Sequence, residues 1–193
     1  MQGEPRLATE RLVLRRWCAD DLDPYAALNA DPEVMRHFPS TLTRQESASS
    51  IAIIESRFDS LGYGLWAVEV PGVAPFVGFV GLNPVTFDAP FTPAVEVGWR
   101  LAREHWGHGY ATEGARVALG FGFDVVGLDE IVSFTTPGNT RSWHVMEKLG
   151  MTRDPDDDFD HSVIAEGHPL RLHVLYRISR TTSDGSLSSR NPR

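Results

Sequence analysis

The stretch from Ala94 to Met151 most constrains what this chain can fold into, because it sets a strand, a glycine-rich turn, a helix, a second strand and a second helix in unbroken order. Val95, Val97, Trp99 and Leu101 alternate with Glu96, Gly98 and Arg100. That period of two marks a strand with one buried face and leaves Glu96 on the other. The chain then enters Trp106-Gly107-His108-Gly109-Tyr110-Ala111, where two glycines permit a sharp turn and close approach of a ligand. A helix is expected from near Thr112 to about Phe123, and successive amides at a helix start attract anions. A dinucleotide-binding fingerprint would need a third glycine at Thr112 and an acidic residue ending the next strand, whereas Glu130 begins it. The Gly-Lys-Ser/Thr of a nucleotide P-loop is absent. The second helix starts at Asn139, a good cap residue, and ends in Leu149-Gly150-Met151, with Ser142, Val145, Met146 and Leu149 on its inward face.

From Glu96 to Met151 the sequence resembles the GNAT superfamily of acetyl-CoA-dependent N-acetyltransferases, and within it the group of the RimJ and RimL ribosomal-protein N-terminal acetyltransferases. The matching residues are Val-Glu-Val-Gly-Trp on the strand, Trp-Gly-His-Gly-Tyr-Ala-Thr-Glu at the turn, and Asn139-x-x-Ser142 followed by Glu-Lys-Leu-Gly-Met. Thr9 to Arg15 is similar to the opening segment of that group. The resemblance implies an α/β GNAT fold: a mixed, largely antiparallel, splayed sheet flanked by helices on both faces. It also implies that the pantetheine arm of acetyl-CoA pairs with the backbone of Glu96 to Ala102, placing Trp99 and Leu101 beside it. The pyrophosphate would sit on the turn of Trp106, Gly107, His108, Gly109, Tyr110, Ala111 and Thr112, and the Asn139 side chain would hold the arm.

The rest of the chain fits one domain over residues 1–179. Arg11 to Arg15 alternates within a first strand spanning Leu7 to Trp17, and Asp20 can cap a short helix that tolerates Pro24 in its first turn. Thr43 and Glu46 form a capping box ahead of Ile51, Ile54, Phe58 and Leu61, an amphipathic helix stopped by Gly62 and Gly64. The segment from Asn29 to Thr41 is either a specificity loop beside the acceptor, as the resemblance implies, or a surface connection. Leu65–Val70 and Phe76–Val85 read as an antiparallel pair, and residues 83–93, with three prolines, as a loop. The aspartates between 154 and 160 read as a solvated loop or a lure for a cationic acceptor. Leu172, Val174, Tyr176 and Ile178 alternate in a last strand, and residues 180–193 are expected to be a disordered tail.

Amine acetylation needs a neutral amine, a polarised thioester carbonyl and a proton for the departing thiolate. The resemblance assigns the base to Glu96, directly or through water, and the proton donor to Ser142 or a water it binds; many superfamily members use a tyrosine where Met146 stands. A backbone amide of the central strand would stabilise the oxyanion. The expected activity is transfer of acetyl from acetyl-CoA to a primary amine within a ternary complex, the acceptor being a protein N-terminus, an antibiotic, a polyamine or a small metabolite. A catalytically silent acyl-CoA-binding module is the alternative, which Met146 favours and Glu96 with Ser142 disfavours. The net charge of −8 speaks against a nucleic-acid partner and is compatible with amine acceptors. His105 and His108 lack a third ligand at metal spacing, so no metal is expected. The lone Cys18, the missing export signal and the lack of a long apolar run lead to expectations of a cytoplasmic protein off the membrane, monomeric or homodimeric.

Overall fold

The computed structural model describes residues 6–180, so residue 181 and the rest of the expected tail lie outside the described residues. The first strand is broken in two, β1 (Leu7–Ala8) and β2 (Val13–Arg15). Thr9 closes the turn between them: its amide donates to Leu12 O (2.9 Å), and its hydroxyl oxygen accepts from Leu12 N (2.9 Å). A single 3-10 turn precedes α1 (Leu22–Ala30). Asp21, not Asp20, stands at its start, its carboxylate accepting from Cys18 N (2.8 Å) and Arg15 Nη1 (2.7 Å). α2 (Arg44–Leu61) opens on the expected reciprocal pair, with Thr43 Oγ1 accepting from Glu46 N (3.2 Å) and Glu46 Oε2 from Thr43 N (2.7 Å).

β3 (Leu65–Val70), β4 (Ala74–Pro84) and β5 (Val95–Leu101) follow as an antiparallel meander. Then come α3 (Tyr110–Phe121), which runs into a wider turn at Gly122–Val126, β6 (Glu130–Thr135) and α4 (Thr140–Lys148). The chain ends on two short strands, β7 (Thr152–Arg153) and β8 (Phe159–Asp160), both paired with β9 (Leu172–Ser179). The sheet order is β1-β2-β3-β4-β5-β6-β9-β7, with β8 off this path. Every pairing is antiparallel except that of β5 with β6, which is parallel and made at one register position, Glu96 opposite Val132. The sheet therefore splays at its centre, where the resemblance put the cofactor arm.

Register decides which side chains meet. Gly78, Val80 and Leu82 of β4 share a face with Leu101, Trp99 and Val97 of β5, and α3 covers it. Small residues let that helix come close: a Cβ on Gly114 would touch Val80 at 3.3 Å, and Ala115 and Ala118 are fully buried. Phe79, Gly81 and Asn83 share the opposite face with Arg100, Gly98 and Glu96. Here α1 packs Tyr25 edge-on against Phe79, with ring centroids 6.0 Å apart. A second apolar cluster of Val132, Phe134, Phe159 and Leu175 lies under Phe87 and Phe91, which come from the proline-rich loop after β4. Among the described residues no helix is long and apolar enough to cross a membrane.

The acidic run after β7 is an exposed loop tied back by arginines. Arg177 pairs with Asp157 (2.8 Å), Arg171 with Asp160 (3.0 Å), and Arg153 with Asp158. Asp154, Asp156 and Asp160 remain exposed to solvent, Asp160 at 60% of its side chain.

Candidate active site

The glycine turn places a ring of backbone groups at the mouth of the splay. Gly107 and Gly109 adopt φ of 80° and 82°, a left-handed conformation that costs glycine nothing and a branched residue a great deal. Gly109 caps α3, whose first residue, Tyr110, lies two residues ahead of the expected boundary, so the first amides of that helix open toward the turn. No Cβ contact crowds Gly107, so torsion rather than space selects glycine there.

The turn is braced from three sides. Trp106 Nε1 donates to Leu101 O (2.8 Å), and the Arg141 guanidinium from α4 lies 4.3 Å from the Trp106 ring. Arg11 Nη1 donates to His108 O (3.1 Å), while Arg11 Nε and Nη2 reach Glu113 Oε2 at 2.8 and 2.5 Å. Thr9 Oγ1 donates to Glu113 Oε1 (2.5 Å). This explains the break between the first two strands: Thr9 and Arg11 are drawn to Glu113 instead of continuing a ladder. His108 and Tyr110 stack with centroids 5.4 Å apart. Arg11, Arg116 and Lys148 line a cavity of about 550 Å³ that adjoins Gly109 and Thr112.

Trp99 and Leu101 point their side chains to the α3 side, so only their backbone could meet a ligand in the splay. Asn139 caps α4, its Oδ1 accepting from Ser142 N (3.4 Å) and its Nδ2 donating to Thr135 Oγ1 (2.9 Å). These bonds orient the amide and use one N–H and one lone pair of it, which leaves a second of each for a ligand. Ser142 is half-buried on the first turn of α4, and its hydroxyl makes no hydrogen bond among the described residues. Met146 is buried in the core.

Glu96 lies on the α1 and α2 face at the one point where β5 and β6 pair. It keeps a little exposed surface, yet protein surrounds its carboxyl group, and removal from water pushes the pKa up to about 8, an effect that Arg100 only partly reverses. The carboxyl makes no hydrogen bond among the described residues, which leaves it available to a ligand.

Around Glu96 the structure assembles Arg100 and Ser47, which the sequence did not single out, with Asn29, His37 and Phe38 from the Asn29–Thr41 segment that the resemblance offered as a specificity loop. Arg100 Nη1 donates to Asn29 Oδ1 (2.6 Å), and Asn29 Nδ2, fully buried, donates to Ser47 Oγ (3.0 Å). This chain ties β5 to α1 and α2. The loop between those helices closes over the same face: Phe38 lies 4.1 Å from the Arg100 guanidinium, and His37 Nδ1 sits 3.0 Å from Thr136 Oγ1 beyond β6. Burial, then Arg36 and Arg141, lowers the His37 pKa, so this contact is made by a neutral ring at pH 7. Arg100 shares the period of Glu96, the one sequence signal that could have singled it out; within that segment nothing local singled out Asn29 or His37. Among the described residues no group of three or more His, Cys, Asp or Glu could hold a metal ion.

Comparison with known proteins agrees with this geometry. The family pattern for the acetyltransferase (GNAT) domain matches residues 11–152, more than half of the chain. YkkB of Bacillus subtilis is 30% identical over 154 residues, 78% of this chain and 87% of that protein. The FsC-acetyl coenzyme A-N(2)-transacetylase of Aspergillus fumigatus is 33% identical over 159 residues, 79% of this chain and 67% of its own length. Among solved structures, an acetyltransferase of Agrobacterium tumefaciens superposes with a TM-score of 0.73 at 26% identity, covering 91% of this chain and 95% of that one. RimJ of Mycobacterium smegmatis, solved with CoA-disulfide, shares the fold with a TM-score of 0.74 at 19% identity over 92% of this chain and 88% of its own. The chain belongs to the GNAT acetyltransferase family.

Proposed function

As a member of that family the chain is an acetyl-CoA-dependent N-acetyltransferase, and we infer that it acetylates a primary amine by direct attack in a ternary complex, with Glu96 as base and Ser142 as proton donor. The observation that carries this reading is Glu96 itself: a carboxyl with a pKa of about 8, free of hydrogen bonds, at the closed end of the splay. A base poised near the operating pH is the most effective one.

The residues present fit acetyl-CoA. β5 beyond Glu96 has backbone left unpaired by β6, the turn at Gly107 and Gly109 admits close approach, and the cavity beside Thr112, lined by Arg11, Arg116 and Lys148 against Glu10 and Glu113, offers Arg116 and Lys148 to the nucleotide end. When bound, it supplies the acetyl thioester. Glu96 takes a proton from the acceptor's ammonium, and the lone pair so freed on nitrogen bonds to the acyl carbon. As the carbon–sulfur bond breaks, the Ser142 hydroxyl, alone or through water, gives a proton to sulfur and is made good by the second proton that nitrogen gives up in becoming an amide. A backbone amide of β5 hydrogen-bonds the acyl oxygen as charge develops on it.

The test is Glu96→Gln, followed across pH with an acceptor amine that titrates near the lysine value of about 10.4. The rate should fall by roughly 10²- to 10⁴-fold. The ratio of parent to variant should be level below about pH 8, where ionised Glu96 and neutral amine grow in parallel, and should shrink above it, where Glu96 is fully ionised and only the free amine still increases. A ratio flat across the amine's titration sinks the assignment.

Thermal stability supplies a second readout with a definite sign. Folding raises the pKa of this glutamate above its unfolded value, so the folded state holds the proton longer, and stability is lost as pH rises from about 4.5 through about 8. Glu96→Gln should therefore melt on the order of a few degrees higher than the parent at pH 9, with the gap closing toward pH 4. A glutamate kept for structure alone would give the opposite sign.

A further inference from the structure

The cavity beside Glu96 has a chemistry that the chain's overall charge does not suggest. It measures about 660 Å³ and lies between α2 and the sheet, with Arg100 and Phe79 on its floor and Arg57 on its wall. It reaches Glu96 through Asn83, which is paired with Glu96 across β4 and β5 and accepts a hydrogen bond from Arg57. Three charged side chains line it: Arg57, Arg100 and Glu46. Glu46 is already committed to Thr43, accepting from its amide at 2.7 Å and its hydroxyl at 2.8 Å. In a chain of net charge −8, the uncommitted charge in this cavity is positive.

Arg100 is the centre of that charge, and its own bonding is incomplete. A guanidinium has five N–H donors, and a charge withdrawn from water ordinarily finds an anion. Here Nη1 reaches a neutral amide oxygen on Asn29, and the plane lies near the Phe38 and Phe79 rings at 4.1 and 5.4 Å. Nε is buried with no hydrogen-bond partner, and among the described residues no carboxylate lies within ion-pair distance of the group. Arg100 lines the cavity, and the one carboxyl that acts on it, Glu96, makes no ion pair with it and is itself held toward the neutral form by burial. A cation so placed has room for a hydrogen-bonded anion, and the planar Nε–Nη edge of arginine fits a carboxylate with two parallel hydrogen bonds. Asn29 and Ser47 hold it in place from two helices, so the site is built rather than incidental.

We propose that Arg100, with Arg57 beside it, receives a carboxylate carried by the acceptor, so that the substrates are amines that also bear a carboxylate, with the amine at Glu96. This rests on reading the Glu96 cleft as the acceptor site. It sets aside polyamines and other purely cationic amines, which would meet two arginines.

The experiment measures binding by calorimetry to the protein saturated with CoA, so that it does not depend on turnover. The probes are glycine, β-alanine, γ-aminobutyrate and δ-aminovalerate, each against its own primary amide. At least one acid should bind roughly 10- to 100-fold tighter than its amide, the range for a hydrogen-bonded charge. Arg100→Met should bring that ratio close to one, Arg100→Lys should keep part of it, and CoA affinity should stay unchanged in both. Because acid and amide are compared within one variant, a loss of stability cancels; Arg57→Gln, at the wall, should narrow the ratio less. Equal binding of every acid and amide in the parent, or an undiminished ratio in Arg100→Met, overturns the proposal. Thiol release separates this from the catalytic reading: an Arg100-dependent preference without release would sink the role of Glu96 and leave the carboxylate site standing. Release from simple alkylamines at a rate untouched by Arg100→Met would do the reverse.

Discussion

The two sides of the splay are made from different materials. On the α3 side the turn from Trp106 to Thr112 offers mostly backbone: two left-handed glycines, the first amides of a helix and an unpaired strand edge. On the α1 and α2 side the surface is side chains: Glu96, Arg100, Asn29, Phe38 and His37, drawn from two elements and a loop. Backbone geometry accepts any molecule with the right shape and charge and tolerates change in its neighbours. A wall of converging side chains discriminates, and each member depends on the others. The first arrangement suits a cosubstrate common to a family, the second an acceptor particular to one member.

Substitutions can break or sharpen that contrast. Ser142→Ala, which removes the proposed donor to the departing sulfur, should lower kcat by roughly 10²-fold with CoA affinity nearly unchanged, measured by steady-state kinetics beside calorimetry. Unchanged turnover would hand the proton to water. Gly109→Val attacks the backbone side through torsion, since a branched residue resists φ near 82°, and should weaken CoA binding by roughly 10- to 100-fold. The readout is the thermal shift on adding CoA, and a full shift in the variant would show that the turn is not the cradle.

Asn29→Ala strikes the side-chain wall from behind. It leaves Arg100 Nη1 without its acceptor and takes the amide donor from Ser47 Oγ, which still donates to Thr43 O, and should cost about 1–3 kcal/mol in denaturant unfolding, with CoA affinity unchanged. If CoA affinity fell instead, the two sides would not be independent. Arg11→Ala should have the smallest effect, about 0–1 kcal/mol of stability, because its pair with Glu113 is half open to water and the turn it braces is fixed by torsion.

The same contrast governs what could be read from the chain alone. Features set by neighbours in sequence were legible: the capping box at Thr43 and Glu46, the glycines at 107 and 109, the cap at Asn139 and the alternation of β5. So was the splay, because the resemblance carried it. What escaped depends on partners far away in the chain. Thr9 and Arg11 look like parts of a strand until Glu113, over a hundred residues on, draws them into a turn. The aspartates after β7 lie in an exposed loop, as read, but nothing near them in sequence announces that Arg171 and Arg177 return from β9 and its approach to pair with two of them. Arg100 looks like the polar half of an alternating strand, and only the packing of α1 brings Asn29 to it. β7 and β8, two residues each, have too little pattern to announce themselves and exist because β9 offers an edge.

A sheet joined at its middle by a single register pair is, mechanically, two sheets sharing a hinge. Strands β1 to β5 form one leaf and β6, β9 and β7 the other, and α3 with its following turn is the strap across the back. A molecule that lays its own amides along the inner edge of β5 would fasten the leaves and slow the exchange of backbone protons on both sides of the seam. A cosubstrate bound in that way would also be the missing rung of the sheet, and the enzyme without it would be the looser of the two forms.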